Sequence, residues 1–185
     1  MNEDLVVLYS GGADSTLLLK LATEMGKKPF AVMIDYQQLH IEELEIAKQY
    51  LDKNKIENMT IKIFGYNVNS ALTGNGEIGL YKDVSVYNVP ARNTIFLSLA
   101  AGIAESKKIQ EIWIGCDMSD FYGKFVDCTQ SYIGKINELF HVAFSYPINV
   151  KAPLLGFTKE MVLNKLRLYG ISKDQLYSGY GEIGV

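Results

Sequence analysis

Leu5 to Tyr9 is a short apolar run, and from Ser15 to Met25 the apolar side chains recur at helical spacing. Ser10-Gly11-Gly12-Ala13-Asp14-Ser15 joins the two. A buried strand that passes through paired glycines straight into a helix constrains this chain more than anything else in it. A helix laid back on its strand calls for a parallel neighbour, and so for a layered α/β fold. The glycines let backbone amides turn toward an anion, and the helix amino end favours negative charge. Ser10 and Ser15 add hydroxyls. The lysine-serine ending of the common phosphate loop is missing, so the cradle belongs to another kind of phosphate chemistry.

The rest of the sequence repeats the alternation. Segments 29–36, 59–64 and 111–116 read as strands, and "YPINVKAPL" holds a further short strand and a turn. Segments 41–54, 92–106, 126–144 and 158–170 read as helices, the last opened by a Thr cap and closed at Gly170. The expected architecture is a three-layer α/β sandwich around a mostly parallel five-stranded sheet, with 1–185 forming one domain. Segment 65–89 carries Gly, Asn, Ser and Tyr without periodicity and reads as a lid-like loop. Ligands of such sheets sit beyond the carboxyl ends of the strands. Ser10–Ser15, Asp35 and Asp117–Asp127 all follow strand ends and are expected to converge on one cleft.

Composition narrows the function classes. The net charge is −3 and no run of Lys or Arg occurs, which argues against a direct nucleic-acid footprint. No stretch approaches the length of a membrane span, and Met1 to Asp4 is polar, so a cytoplasmic protein is the expectation. The two cysteines, Cys116 and Cys128, cannot make a four-cysteine zinc site, and their spacing is not that of a CxxC pair. They read as reduced thiols, Cys116 in the core and Cys128 near a site.

The pattern S-G-G-x-D-S between strand and helix resembles the PP-loop of the ATP pyrophosphatases. That resemblance implies ATP cut between its α and β phosphates, with the pyrophosphate held by Ser10, Gly11, Gly12 and Ser15. Asp14 would hold Mg²⁺ or fix the loop. Four further segments are similar to the 7-cyano-7-deazaguanine synthase (QueC) family: "DYQQLHIEELEIA" at 35–47, "VPARNTIFLSLAAGIAE" at 89–105, "IGCDMSDFYGKFVDCTQSYI" at 114–133 and "KAPLLGFTKEMV" at 151–162. The resemblance implies a ligase for which ATP activates 7-carboxy-7-deazaguanine, ammonia gives an amide, and a second activation leaves the nitrile.

The same resemblance suggests site residues. Arg92 would help hold the nucleotide, and Asn93 the substrate; the alternative for both is helix capping. Lys159 is a second phosphate ligand or an exposed helix residue. Asp35, His40 and Glu43 fall on the substrate side, where His40 and Glu43 also suit a plain first helical turn. Asp120 and Asp127 hydrogen-bond the guanine-like face, bind metal or serve loop structure. With Asp14 and Lys159, Asp127 is the candidate catalytic group. Partners are then a small-molecule substrate and ammonia, and the pattern is compatible with a homodimer.

Three departures stand out. The family's C-terminal four-cysteine zinc site corresponds here to "LYSGYGEIGV", so no zinc site is expected. The family's Gly-Gln-Arg is Gln37-Gln38-Leu39, and the Arg after the D-C pair is Thr129. The changes gather on the acceptor side, which leaves an enzyme stopping at the amide or transferring the activated deazaguanine as alternatives. A tRNA-modifying PP-loop enzyme and a nucleotide-binding module without catalysis are the readings from other classes.

Overall fold

The computed structural model describes residues 3–38, 42–66, 89–122, 125–172 and 176. Five strands, β1 (Leu5–Leu8), β2 (Pro29–Asp35), β3 (Asn58–Lys62), β4 (Glu111–Trp113) and β5 (Asn149–Lys151), form one sheet in the order β3-β2-β1-β4-β5. Every pairing is parallel. The helices are α1 (Ala13–Glu24), α2 (Glu42–Lys53), α3 (Arg92–Lys107), α4 (Met118–Tyr122), α5 (Gln130–Ala143) and α6 (Lys159–Leu168).

Strand residues alternate between two cores. Val6, Val32, Ile112 and Val150 pack with Leu97, Ile133 and Phe140 from α3 and α5. Leu5, Val7, Ala31, Met33 and Trp113 pack with Leu18, Leu51, Val162 and Leu166 from α1, α2 and α6. Burial on both faces is why the central strands read as continuous apolar runs. Each fully buried large side chain contributes about 1.5–3 kcal/mol, and Leu5, Leu17, Leu18, Leu19, Leu97 and Ile112 are all 0% exposed. This is the expected three-layer sandwich with its five-stranded sheet.

The chain runs from β1 outward through β2 to β3, then returns to β4 on the other side of β1 and on to β5. Strand order therefore reverses between β1 and β4. A crevice opens at such a point, beyond the strand ends. The glycine-rich turn leaves β1 there, and the Ile114–Asp117 turn leaves β4 beside it.

Two element boundaries differ from the sequence reading. The helix expected at 126–144 begins only at Gln130, because Thr129 caps it: Thr129 Oγ1 accepts from the Tyr132 N–H at 3.1 Å. The residues before the cap form a turn in which the Cys128 N–H donates to the Phe125 carbonyl. Within 111–116, strand pairing ends at Trp113, and the short helix α4 follows where only loop was expected. The expected cap and stop of α6 are present: Thr158 accepts from the Met161 N–H at 3.2 Å, and Gly170 takes φ +71°. Of the lid-like stretch, 67–88 lie outside the described residues. Its two ends meet, since the Tyr66 hydroxyl donates to the Pro90 carbonyl.

Candidate active site

The loop after β1 is held by its own serines. Ser15 Oγ accepts from the Ser10 N–H at 3.2 Å, lies 3.2 Å from Ser10 Oγ and donates to the Gly12 carbonyl at 3.2 Å. The Gly12 N–H donates to Ser10 Oγ at 3.3 Å. Gly12 begins α1 in an extended conformation, and no side chain caps the helix. The amino end of α1 thus keeps its positive end for an outside anion.

Two glycines make the loop's shape obligatory. Gly11 takes φ +84°, and a Cβ there would lie 2.9 Å from Ala47 Cβ of α2. Gly115, in the turn after β4, would place a Cβ 3.0 Å from Asp14 Cβ and 3.1 Å from the Ser15 amide nitrogen. The β1 and β4 turns can touch only because Gly115 has no side chain.

Lys159, at the start of α6, completes the arrangement. Its ammonium lies 2.6 Å from Asp14 Oδ2 and 3.3 Å from Asp117 Oδ2. Asp117 is fully buried, and its Oδ1 accepts from the Ser119 N–H at 2.7 Å and from the Ser119 hydroxyl. The Met118 N–H donates to the Phe157 carbonyl at 2.9 Å, tying this turn to the approach of α6. Burial pushes Asp117 up, yet the Ser119 bonds and the Lys159 charge leave it below the usual carboxylate range. Burial opposes the charge on Lys159, but the two carboxylates raise it above the usual ammonium range. Burial lifts Asp14 to about 6 against the pull of Lys159, and the Asp117 charge adds to the rise. One cation between a fully buried carboxylate, Asp117, and a partly buried one, Asp14, leaves a net negative site. Asp14 Oδ1 is buried and accepts no hydrogen bond, and buried Asp117 Oδ2 is met only by the Lys159 ammonium. Such carboxylate oxygens beside the glycine-rich loop fit a hard divalent cation such as Mg²⁺.

The head of α3 forms the other wall. Its first turn is entered through Ala91 at φ +58°, again with no side-chain cap. The Asn93 N–H donates to Asp127 Oδ2 at 3.4 Å, and Asn93 Nδ2 donates to the Asp127 carbonyl and to Cys128 Sγ, each at 3.4 Å. Asp120 Oδ2 accepts from the Asp117 N–H at 2.9 Å, which joins this wall to the Lys159 pair. Burial raises Asp120 above the usual carboxylate range, and Arg92 acts on it from close by in the opposite sense.

Ser10, Gly11, Gly12, Asp14, Ser15 and Lys159 are therefore brought together; Asp120 is linked to them through Asp117, Asn93 and Asp127 adjoin Asp120 through Cys128, and Arg92 acts on Asp120. The Glu43 backbone lies against Gly11. Asp35 is placed toward the β3 edge, where Oδ1 accepts from the Gln37 N–H at 3.1 Å and Oδ2 is 3.9 Å from Lys62 Nζ. His40 lies outside the described residues. Sequence reasoning expected Asp117 at the cleft only as the start of segment 117–127, without a role of its own, and passed over Gly115. The available signal was an acid immediately after an apolar strand, opposite the glycine-rich turn. It also missed that Cys116, Cys128 and Asp120 place their ligand atoms within 4.8 Å of one another. A separation of twelve residues conceals that proximity.

The family model for the queuosine biosynthesis protein QueC matches residues 4–183. The chain belongs to the QueC family. Two similar relatives are the 7-cyano-7-deazaguanine synthases of Citrifermentans bemidjiense and Geobacter sulfurreducens. The first is 34% identical over 194 residues, covering 97% of this chain and 84% of that protein. The second is 35% identical over 191 residues, covering 97% and 80%. Among solved structures, the U34-tRNA thiolase NcsA from Methanococcus maripaludis matches with TM-score 0.65 and 14% identity, over 100% of this chain and 62% of that one. NMN synthetase from Francisella tularensis matches with TM-score 0.62 and 16% identity, over 96% and 69%. At those identities the likeness is one of fold, that of the PP-loop ATP pyrophosphatases, which is the fold class expected for this QueC family member.

Proposed function

We propose that this QueC family member is an ATP-dependent carbon–nitrogen ligase that converts 7-carboxy-7-deazaguanine and ammonia to 7-cyano-7-deazaguanine. The observation that carries the reading is the uncapped PP-loop at the β1/β4 reversal, closed by Lys159 between Asp14 and Asp117.

The chemistry follows from what the acceptor lacks. A carboxylate does not lose its oxygen to ammonia until that oxygen becomes a good leaving group. Its oxygen attacks the α-phosphate of ATP, and the bond to pyrophosphate breaks. Ammonia adds at the activated carbonyl, loses a proton and expels AMP, which leaves the amide. The amide oxygen then displaces pyrophosphate from a second ATP, and loss of AMP together with both amide N–H protons leaves the nitrile.

The chain's residues divide this work. Loop amides and the hydroxyls of Ser10 and Ser15 hold the departing pyrophosphate, so negative charge is met where it accumulates. Lys159 serves as its movable cation, passing from Asp14 to phosphate when nucleotide enters. Asp14 and Asp117 supply the oxygens for Mg²⁺, which when bound neutralises phosphate charge. Arg92 is assigned to the phosphates of the nucleotide. Asn93, Asp120 and Asp127 orient the acceptor, and Asp35 and Glu43 extend that pocket toward α2; His40 is assigned to the acceptor on the family resemblance alone. The partners are small molecules, and the site of action is the cytoplasm.

Incubation with ATP, Mg²⁺, ammonia and the carboxydeazaguanine tests the reading by mass analysis. Nitrile together with AMP and pyrophosphate is expected. Amide accumulating while ATP remains would show an enzyme that halts after the first activation. Absence of AMP and pyrophosphate would show a binding module.

A further inference from the structure

Beside the nucleotide cleft lies a second group of side chains, of which the ligase reading uses Asp120 alone. Cys116 follows β4, Asp120 sits on α4, and Cys128 precedes the cap of α5. One sulfur from each cysteine and a carboxylate oxygen of Asp120 all lie within 4.8 Å of one another. No other His, Cys, Asp and Glu grouping of that compactness occurs among the described residues. The cysteines are buried, 1% and 5% exposed, and Asp120 is partly exposed.

We infer that Cys116, Cys128 and Asp120 bind one thiophilic divalent cation of the zinc type, with its remaining coordination position exchangeable. The site is distinct from the four-cysteine tail of the family.

The donor set selects the metal class. Two sulfurs with one carboxylate suit a borderline-soft ion, whereas Mg²⁺ and Ca²⁺ demand oxygen throughout. Bonds of about 2.3 Å to sulfur and about 2.0–2.2 Å to oxygen put tetrahedral ligands roughly 3.5–3.8 Å apart. Closing from the observed spacing asks for about 1 Å of movement, within reach of side-chain torsions.

The surroundings already resemble an outer shell. Asn93 Nδ2 donates to Cys128 Sγ at 3.4 Å, and the Asp117 N–H donates to Asp120 Oδ2 at 2.9 Å. Hydrogen bonds of this kind orient ligands. The intervening turn is fixed by backbone bonds: the Phe125 N–H donates to the Asp120 carbonyl at 3.0 Å, and the Cys128 N–H to the Phe125 carbonyl at 3.1 Å. The residual negative charge of two thiolates and a carboxylate on a divalent ion faces Arg92, which acts on Asp120. A bound ion would tie the β4 turn, α4 and the start of α5 into one unit.

The test uses the full chain, reduced, stripped with a chelator and titrated with Co²⁺ without oxygen. A thiolate-to-cobalt charge-transfer band saturating at about one equivalent, and displaced by Zn²⁺, is expected. Cys116→Ser and Cys128→Ser should each diminish the band and weaken binding at least ~100-fold. Asp120→Asn should weaken it at least ~10-fold. No band in the wild type, or a band undiminished in either serine variant, overturns the site. An unchanged affinity in Asp120→Asn overturns the three-residue ligand set. Should a serine variant fail to fold by circular dichroism, X-ray absorption of the zinc-loaded wild type decides. Two sulfurs with oxygen or nitrogen donors support the site, and a sulfur-free shell overturns it.

Discussion

Two helix heads flank the cleft, and they differ in what already occupies them. At α1, Gly12 leads into the helix without a side-chain cap, and no carboxylate is hydrogen-bonded to the loop amides among the described residues. At α3, Ala91 also offers no cap, but the Asn93 N–H donates to the Asp127 carboxylate. The first head keeps its positive end for an anion from outside. The second has spent part of it on an anion of its own, and so is suited to a ligand that needs directional hydrogen bonds more than charge. The difference teaches why the loop after β1 is rigidly composed of glycine and serine, whereas the α3 wall is a network of polar side chains.

The largest effect that would break this comparison is at Lys159. Lys159→Ala should lower ATP-dependent AMP formation about 100- to 1,000-fold, the scale of removing one preorganised charge-stabilising donor. Steady-state rates measure it, and a loss below 10-fold would remove Lys159 from the phosphate site.

Next comes Ser15→Ala. It removes one or two hydrogen bonds to a charged group, each about 1.5–3 kcal/mol, so turnover should fall by at least ~10-fold while the fold persists. Unchanged turnover would count against the loop as the pyrophosphate cradle.

Gly115→Ala sharpens the contact between the two turns. Its Cβ would meet the Asp14 Cβ and the Ser15 backbone at 3.0–3.1 Å, so one turn must give way. Overpacking of this kind costs about 1–3 kcal/mol. A thermal melt should fall modestly, and the KM for ATP should rise more than that for the acceptor.

Asp127→Asn addresses the other wall. The uncharged side chain keeps the shape but weakens the bond to the Asn93 N–H. The KM for the acceptor is expected to rise about 10-fold with the KM for ATP nearly unchanged, on the scale of one charge-assisted hydrogen bond. A larger effect on ATP would show that the α3 head also serves the nucleotide.

The smallest effect is at Ala91, whose φ of +58° is a left-handed conformation costly for a side chain bearing Cβ. Ala91→Gly should raise stability by up to about 1 kcal/mol, the relieved strain being partly offset by backbone entropy. Denaturant unfolding measures it, and a clear loss of stability would show that the Ala91 methyl packs where the backbone alone suggests strain.

The strands and helices were legible in the sequence because both faces of the sheet are covered. Apolar runs such as Val6–Val7 and Ala31–Met33 are forced by double burial, and the alternation with helical periods then implies a parallel sheet. The PP-loop was legible for a local reason. Gly11 and Gly12 answer to backbone geometry, and Ser10 and Ser15 to one another, all within six residues. The long-range pairs were not legible in the residues themselves; only the family resemblance put Lys159 beside the phosphate loop. Lys159 meets Asp14 across 145 residues, and Gly115 is required by a neighbour it does not share a segment with. Asp117 reads as an ordinary loop acid until burial and the Lys159 charge act on it. Cys116 and Cys128 likewise read as two isolated thiols, and only the turn through α4 brings them together around Asp120. Local chemistry is written in neighbouring residues, but which distant groups share a low-dielectric space is decided when the sheet closes and the β1 and β4 turns meet.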